Sequence, residues 1–128
     1  MTDFREKLRR LPDSELEVMQ VLWSLSAPVA RSAVETALAE THPMAQTTVL
    51  TLLSRLADKG FIAVEKAGRS SVYTPLVEQR DYLASQSSRF YEKLCGGSVS
   101  AFAAALCDSG LSREELAELR RLLEENAL

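Results

Sequence analysis

The chain has 128 residues, of which 46% are apolar, so it can form one compact domain or a small domain with a dimerisation segment. It contains no run approaching the roughly 18 apolar residues of a membrane span, and its basic N-terminus lacks an apolar secretion segment. We therefore expect a cytoplasmic protein without membrane insertion. Because His42 is the only histidine, the sequence gives little basis for a His-rich metal site or a Cys-His nucleophile pair, and we expect neither a metal nor a cofactor. Cys95 and Cys107 are widely spaced, and we expect buried thiols rather than a disulfide.

The net charge of −3 is unevenly distributed along the chain. Residues 1–77 hold nine basic and nine acidic side chains, whereas residues 78–128 hold six and nine. The acidity thus belongs to the C-terminal part, and basic side chains of the neutral N-terminal part can still form a local positive surface. Such a surface is compatible with a nucleic-acid partner.

The first elements of the chain read as helices separated by turn residues. One helix starts after Pro12, where Asp13 or Ser14 is expected to cap its first turn, and ends before Pro28. A weaker helix is predicted for about residues 30–40. The short segment around Pro28 and Val29 is available as a strand of a small sheet.

The segment 46–60 has the clearest helical pattern. Its apolar residues recur at i, i+3, i+4 and i+7, at Val49, Leu52, Leu53 and Leu56. The opposite face is mostly polar. Two strand-like runs, 61–66 and 71–75, follow directly. The order of three helices and a hairpin is that of a winged helix-turn-helix domain, for which we predict residues 1–77; an ordinary amphipathic helix and hairpin remain the alternative.

Residues 78–128 show helical patterns only. Gly96 and Gly97 end a long helix, Ser98 can cap a short one, and Ser112 with Glu115 forms a capping box for the last. Their apolar faces predict a dimerisation region, with packing back onto the winged domain as the alternative. The candidate interface residues are Leu83, Phe90, Leu94, Val99, Phe102, Leu106, Leu116, Leu119 and Leu122.

Four stretches together resemble one known family: LPDSELEVMQVLW, TTVLTLLSRLADKGFIAVEKAGRSSVYTPL, FYEKLCGG and SREELAELRRLLEE. They are similar to the penicillinase-repressor (BlaI/MecI-type) family of bacterial transcriptional regulators, over about residues 11–125. The resemblance implies a mainly α protein, with a winged helix-turn-helix DNA-binding domain and an all-helical C-terminal dimerisation region. It also implies a homodimeric repressor on palindromic operator DNA.

Carried onto this sequence, the resemblance gives a recognition helix at about 45–59 and a basic wing at about 61–75. The implied DNA contacts of the helix are Gln46, Thr47, Thr48, Leu50, Thr51, Ser54 and Arg55. The implied phosphate contacts of the wing are Lys66, Arg69, Ser70 and Ser71. Position 50 is usually basic in such sequences, whereas the apolar surface of Leu50 could meet a thymine methyl group.

The resemblance also implies a further partner. Antibiotic-resistance members are inactivated when a membrane sensor triggers cutting at an Asn-Phe bond. The corresponding place here is Ala105-Leu106, which departs from that pair. A sensor and protease pathway is therefore expected only by analogy.

Two other function classes are alternatives to the repressor. A winged-helix module that binds protein would show no salt-dependent affinity for DNA beyond background. An enzyme is disfavoured, because the sequence has no paired carboxylates in a pocket-like context, no phosphate-binding loop and no metal-ligand spacing.

Overall fold

The computed structural model describes residues 8–127, with side chains to residue 126. Its elements are α1 Asp13–Ser24, β1 Val29–Ala30, α2 Arg31–Thr41, α3 Gln46–Asp58, β2 Ile62–Ala67, β3 Ser70–Pro75, α4 Gln79–Arg89, a π-helical turn Phe90–Leu94, α5 Val99–Asp108 and α6 Arg113–Ala127. Two compact units divide between Gln86 and Ser87.

In the first unit, α1, α2 and α3 share a core with a three-stranded antiparallel sheet of order β1-β3-β2. The predicted apolar stripe of α3 is buried along its whole length. At the end of α3, the N–H of Phe61 donates to the carbonyl of Leu56 at 2.9 Å, and that of Gly60 to Ala57 at 3.0 Å. This closure requires the left-handed φ of 81° at Gly60. The predicted winged helix is confirmed.

The start of α1 differs from the prediction. Pro12 occupies the N-cap position, and no side chain caps the helix. Instead, the N–H of Leu16 donates to the carbonyl of Pro12 at 3.0 Å. The expected cap by Asp13 or Ser14 is wrong because both residues lie inside the helix, downstream of the cap position.

The division after Gln86 lies further along the chain than the predicted boundary at residue 77. The first half of α4 packs on the winged core. The buried hydroxyl of Tyr82 accepts a hydrogen bond from the N–H of Leu11 at 2.8 Å. The indole N–H of Trp23 donates to the carbonyl of Val77 at 2.9 Å. These contacts assign residues 78–86 to the first unit.

The second unit contains the π-helical turn, α5 and α6. Ser98 accepts from the N–H of Ala101 at 3.1 Å, as predicted. The capping box is also confirmed: the N–H of Ser112 donates to Glu115 Oε1 at 2.9 Å, and the N–H of Glu115 to Ser112 Oγ at 3.0 Å. No side chain described for residues 87–126 is fully buried. The apolar faces of this unit are therefore not covered within it.

Cys95 is half-buried and Cys107 is exposed, and both are free thiols. The expectation of buried thiols is therefore wrong. The reason is the thinness of the second unit, whose described helices bury no residue completely.

A partly buried ion pair joins α1 to the C-terminal end of α3, with Glu15 buried and Lys59 41% exposed at its side chain. Glu15 is only 2% exposed, and its carboxylate accepts from Lys59 Nζ at 2.5 Å. Replacing Lys59 by methionine would leave that carboxylate buried without a cation. We expect Lys59→Met to lower the free energy of unfolding, measured in urea, by about 1.5–3 kcal/mol.

The exposed Lys66 of the wing provides the matched control. Lys66→Met should change the free energy of unfolding by at most about 0.5 kcal/mol. Equal effects of the two substitutions would show that the ion pair does not stabilise the domain.

Candidate nucleic-acid interface

The outer face of α3 presents every side chain that the sequence suggested for it. Because Val49, Leu52 and Leu56 fix the opposite face in the core, the outer face is held rigidly toward solvent. The exposed candidates are Gln46, Thr47, Thr48, Leu50, Thr51, Ser54 and Arg55. This face is rigidly positioned and rich in short hydrogen-bonding groups.

Two side chains of this face have a defined hydrogen-bonding state. The hydroxyl of Thr51 donates to the carbonyl of Thr47 at 2.9 Å, so it is left as an acceptor for a partner. Arg55 is exposed, and it makes no ion pair with the residues that the structure describes. Its guanidinium donors are therefore not occupied in an ion pair by any of these residues, so they can contact a partner.

A groove with a volume of about 300 Å³ lies between the start of α2 and the wing, the hairpin formed by β2 and β3. It is lined by Ala30, Arg31, Ser32, Glu35, Lys66, Arg69, Ser70 and Ser71. The structure thus brings all four predicted wing residues together. The groove exists because β1 pairs with β3, with Ala30 opposite Val72, and α2 begins at the next residue.

Three polar groove residues were not predicted from the sequence: Arg31, Ser32 and Glu35. Ala30 at the N-cap supplies no side-chain oxygen, so N–H groups of the first turn of α2 are open to an anion. Arg31 Nε lies 3.2 Å from Glu35 Oε1. The signal that could have found these residues is their place at the start of the first helix of a helix-turn-helix, which crosses the DNA backbone.

Glu35 also connects the groove to α3. Gln46, the first residue of α3, donates from Nε2 to Glu35 Oε2 at 3.4 Å. The two sets of candidate contacts, on the outer face of α3 and in the groove, therefore meet at this carboxylate. One surface of the first unit carries both.

The nine candidate interface residues fall into two classes of exposure. Leu83, which lies in the first unit, and Phe90, Leu94, Val99 and Leu122 are exposed, whereas Phe102, Leu106, Leu116 and Leu119 are half-buried. Phe102 packs against the rings of Phe90 and Tyr91, each with a centroid distance of 5.7 Å. Leu94 and Val99 are 77% and 70% exposed. Of the nine candidates, Leu94 and Val99 therefore have the largest exposed fractions.

Within residues 8–127, His, Cys, Asp and Glu side chains do not gather in groups of three that could hold a metal ion. Among the helices described, none combines the length and the hydropathy needed to cross a membrane.

The sequence model of the penicillinase repressor family matches residues 11–125. The chain belongs to the penicillinase repressor family. It is 34% identical to the penicillinase repressor of Bacillus licheniformis over 122 residues, which are 94% of each chain. The family predicted from the sequence is confirmed.

Two solved structures of BlaI resemble the winged unit. The solution structure of the DNA-binding domain of the repressor BlaI has a TM-score of 0.52 and 35% identity, over 64% of this chain and 94% of that one. The monomeric form of Bacillus licheniformis BlaI in complex with the blaP half-operator has a TM-score of 0.50 and 38% identity, over 58% and 89%. Both agree with the winged-helix fold of the first unit.

Proposed function

We propose that this chain is a transcriptional repressor that binds palindromic operator DNA as a homodimer in the cytoplasm. The observation that carries the proposal is the rigid, polar outer face of α3 in a winged domain of the penicillinase repressor family. The BlaI monomer bound to a half-operator supports it, because this chain covers 89% of that structure's length.

The two parts of the surface have different roles in this proposal. The outer face of α3 enters the major groove, where Thr51 and Arg55 contact base edges. The groove between α2 and the wing binds phosphate through Arg31, Lys66 and Arg69. Phosphate contacts fix the register of the protein on DNA without reading its sequence.

The second unit joins two chains. Its exposed apolar side chains include Leu94, Val99 and Leu122, which find no cover within that unit. Joining two chains would let their two copies of α3 bind half-sites that lie about one helical turn apart, roughly 34 Å or a multiple of it, and two-fold symmetry would require a palindrome.

Relief of repression by proteolytic cleavage would require a local opening of α5. The bond between Ala105 and Leu106 lies inside α5, and both side chains are half-buried. A protease acting there would need α5 to open locally, because a helical backbone does not fit an extended cleavage site.

Arg55 provides the direct test of base reading. An operator would first be selected from a pool of random duplexes. We expect Arg55→Ala to weaken binding to this operator by about 5- to 150-fold, because an arginine contact to guanine carries about 1–3 kcal/mol of discrimination. Binding to a scrambled duplex at the same salt should change much less. The fold should persist, since Arg55 is exposed.

Arg120→Ala is the matched control, because Arg120 is an exposed arginine of α6 in the second unit. It should leave both affinities unchanged. Equal losses on both duplexes with Arg55→Ala would assign Arg55 to phosphate. Weak and salt-independent binding of all duplexes by the unmodified chain would instead favour a protein-binding module.

A further inference from the structure

Leu50 is an apolar side chain on the otherwise polar outer face of α3. The other large apolar residues of the helix are at most 3% exposed, whereas Leu50 is 40% exposed. Its neighbours on the same face, Thr47, Thr51 and Ser54, are also exposed. The core is therefore complete without Leu50, and its side chain is available to whatever that face contacts.

Thr51 lies beside Leu50 and offers an acceptor. Its hydroxyl hydrogen is engaged by the carbonyl of Thr47, at 2.9 Å, so the oxygen can accept but the hydrogen is not available. In the major groove, amino donors belong to adenine and cytosine, and the methyl group belongs to thymine alone. An A·T pair presents an amino donor and a methyl group, which match an acceptor and an apolar side chain.

We propose that Leu50 and Thr51 form an A·T-reading pair, in which Leu50 packs on a thymine 5-methyl group and Thr51 accepts from an adenine amino group. This inference rests on the proposed function, because it requires α3 to lie in the major groove. It adds the identity of a base pair to that function. Leu50 carries the discrimination against a G·C pair, which has no methyl group, because the amino group of cytosine can also donate to Thr51.

The methyl contact is tested by replacing each thymine of the selected operator, one at a time, with deoxyuridine, which removes only the methyl group. We expect one such position in each half-site to weaken binding of the unmodified chain about fourfold, since burying one methyl-sized group stabilises by about 0.8 kcal/mol. Leu50→Ala should bind the thymine and deoxyuridine duplexes equally well.

The amino contact is tested at an adenine of the same or an adjacent pair. Replacing it with 2-aminopurine moves the amino group to the minor groove while keeping the pairing with thymine. The unmodified chain should lose about fivefold in affinity, the equivalent of one net hydrogen bond. Thr51→Val, which keeps the shape but lacks the hydroxyl, should not distinguish the two duplexes.

Leu76→Ala is the control for the leucine substitution, because Leu76 is 61% exposed and lies after β3 rather than in α3. It should keep the response to deoxyuridine. If no thymine responds, or if Leu50→Ala responds as the unmodified chain does, the A·T-reading pair is wrong while sequence-selective binding stands. If the unmodified chain selects no sequence at all, the proposed function fails and this inference fails with it.

Discussion

Val99→Asp should produce a folded monomer that binds a full operator about 10² to 10⁴ times more weakly, because tethering two half-site contacts raises avidity by that factor. Val99 is 70% exposed in the chain, so the substitution disturbs no packing of its own unit. It is the first residue of α5, where a negative charge favours the helix. In an apolar interface between two copies, the same charge would be buried without a partner.

Val99→Asp tests the interface more directly than a substitution of Phe102 does. The ring of Phe102 packs against Phe90 and Tyr91, so replacing it would also disturb the local fold. Ser100→Asp is the matched control, since Ser100 is exposed and places the same charge one residue further along α5. It should leave a dimer with full affinity.

Sedimentation would report the mass of each variant, circular dichroism its fold, and anisotropy its affinity for full and half-site duplexes. Val99→Asp should match the unmodified chain on the half-site, where only one chain binds. A dimeric Val99→Asp variant would place Val99 outside the interface. A monomer that binds the full operator at undiminished affinity would show that dimerisation does not set affinity.

The features predicted correctly from the sequence depend on residues close together in the chain. The stripe of α3 is a local period, and the Ser112–Glu115 capping box spans a single turn. The division after Gln86 differs from the predicted boundary because the hydrogen bond from the N–H of Leu11 to the hydroxyl of Tyr82 joins residues far apart in the chain. No local pattern reports such a contact.

The groove between α2 and the wing was found only in part from the sequence for the same reason. Lys66 and Arg69 are recognisable in a basic hairpin, but Arg31 joins them only through the pairing of β1 with β3. Glu35 could not be predicted from the composition, because a carboxylate is unexpected beside phosphate contacts. Its place in the groove is explained by its contacts with Arg31 and Gln46. Sequence periodicity thus predicts α3 and its polar outer face. The pairing of β1 with β3 determines which residues line the groove beside the wing.

Replacing Arg31, Lys66 and Arg69 together by glutamine should weaken binding to a half-site duplex and to a scrambled duplex alike. Each phosphate contact contributes about 0.9 to the slope of log affinity against log salt, so the slope should shrink by about three. At near-physiological salt, the affinity should fall by about 10², the product of three such contributions. The three side chains line one groove and are exposed, so the fold should persist.

The matched control replaces three exposed arginines of α6, Arg113, Arg120 and Arg121, by glutamine. This substitution removes the same amount of charge from the second unit. That variant should keep the slope and nearly all of the affinity, because every DNA contact in the proposed function belongs to the first unit. An unchanged slope for the groove variant would place the groove away from DNA. A changed ratio of operator to scrambled affinity would mean that the groove reads bases. The expected result is a lower affinity at constant ratio, the opposite of Arg55→Ala, because positioning on phosphate and reading of bases are carried by different side chains of one surface.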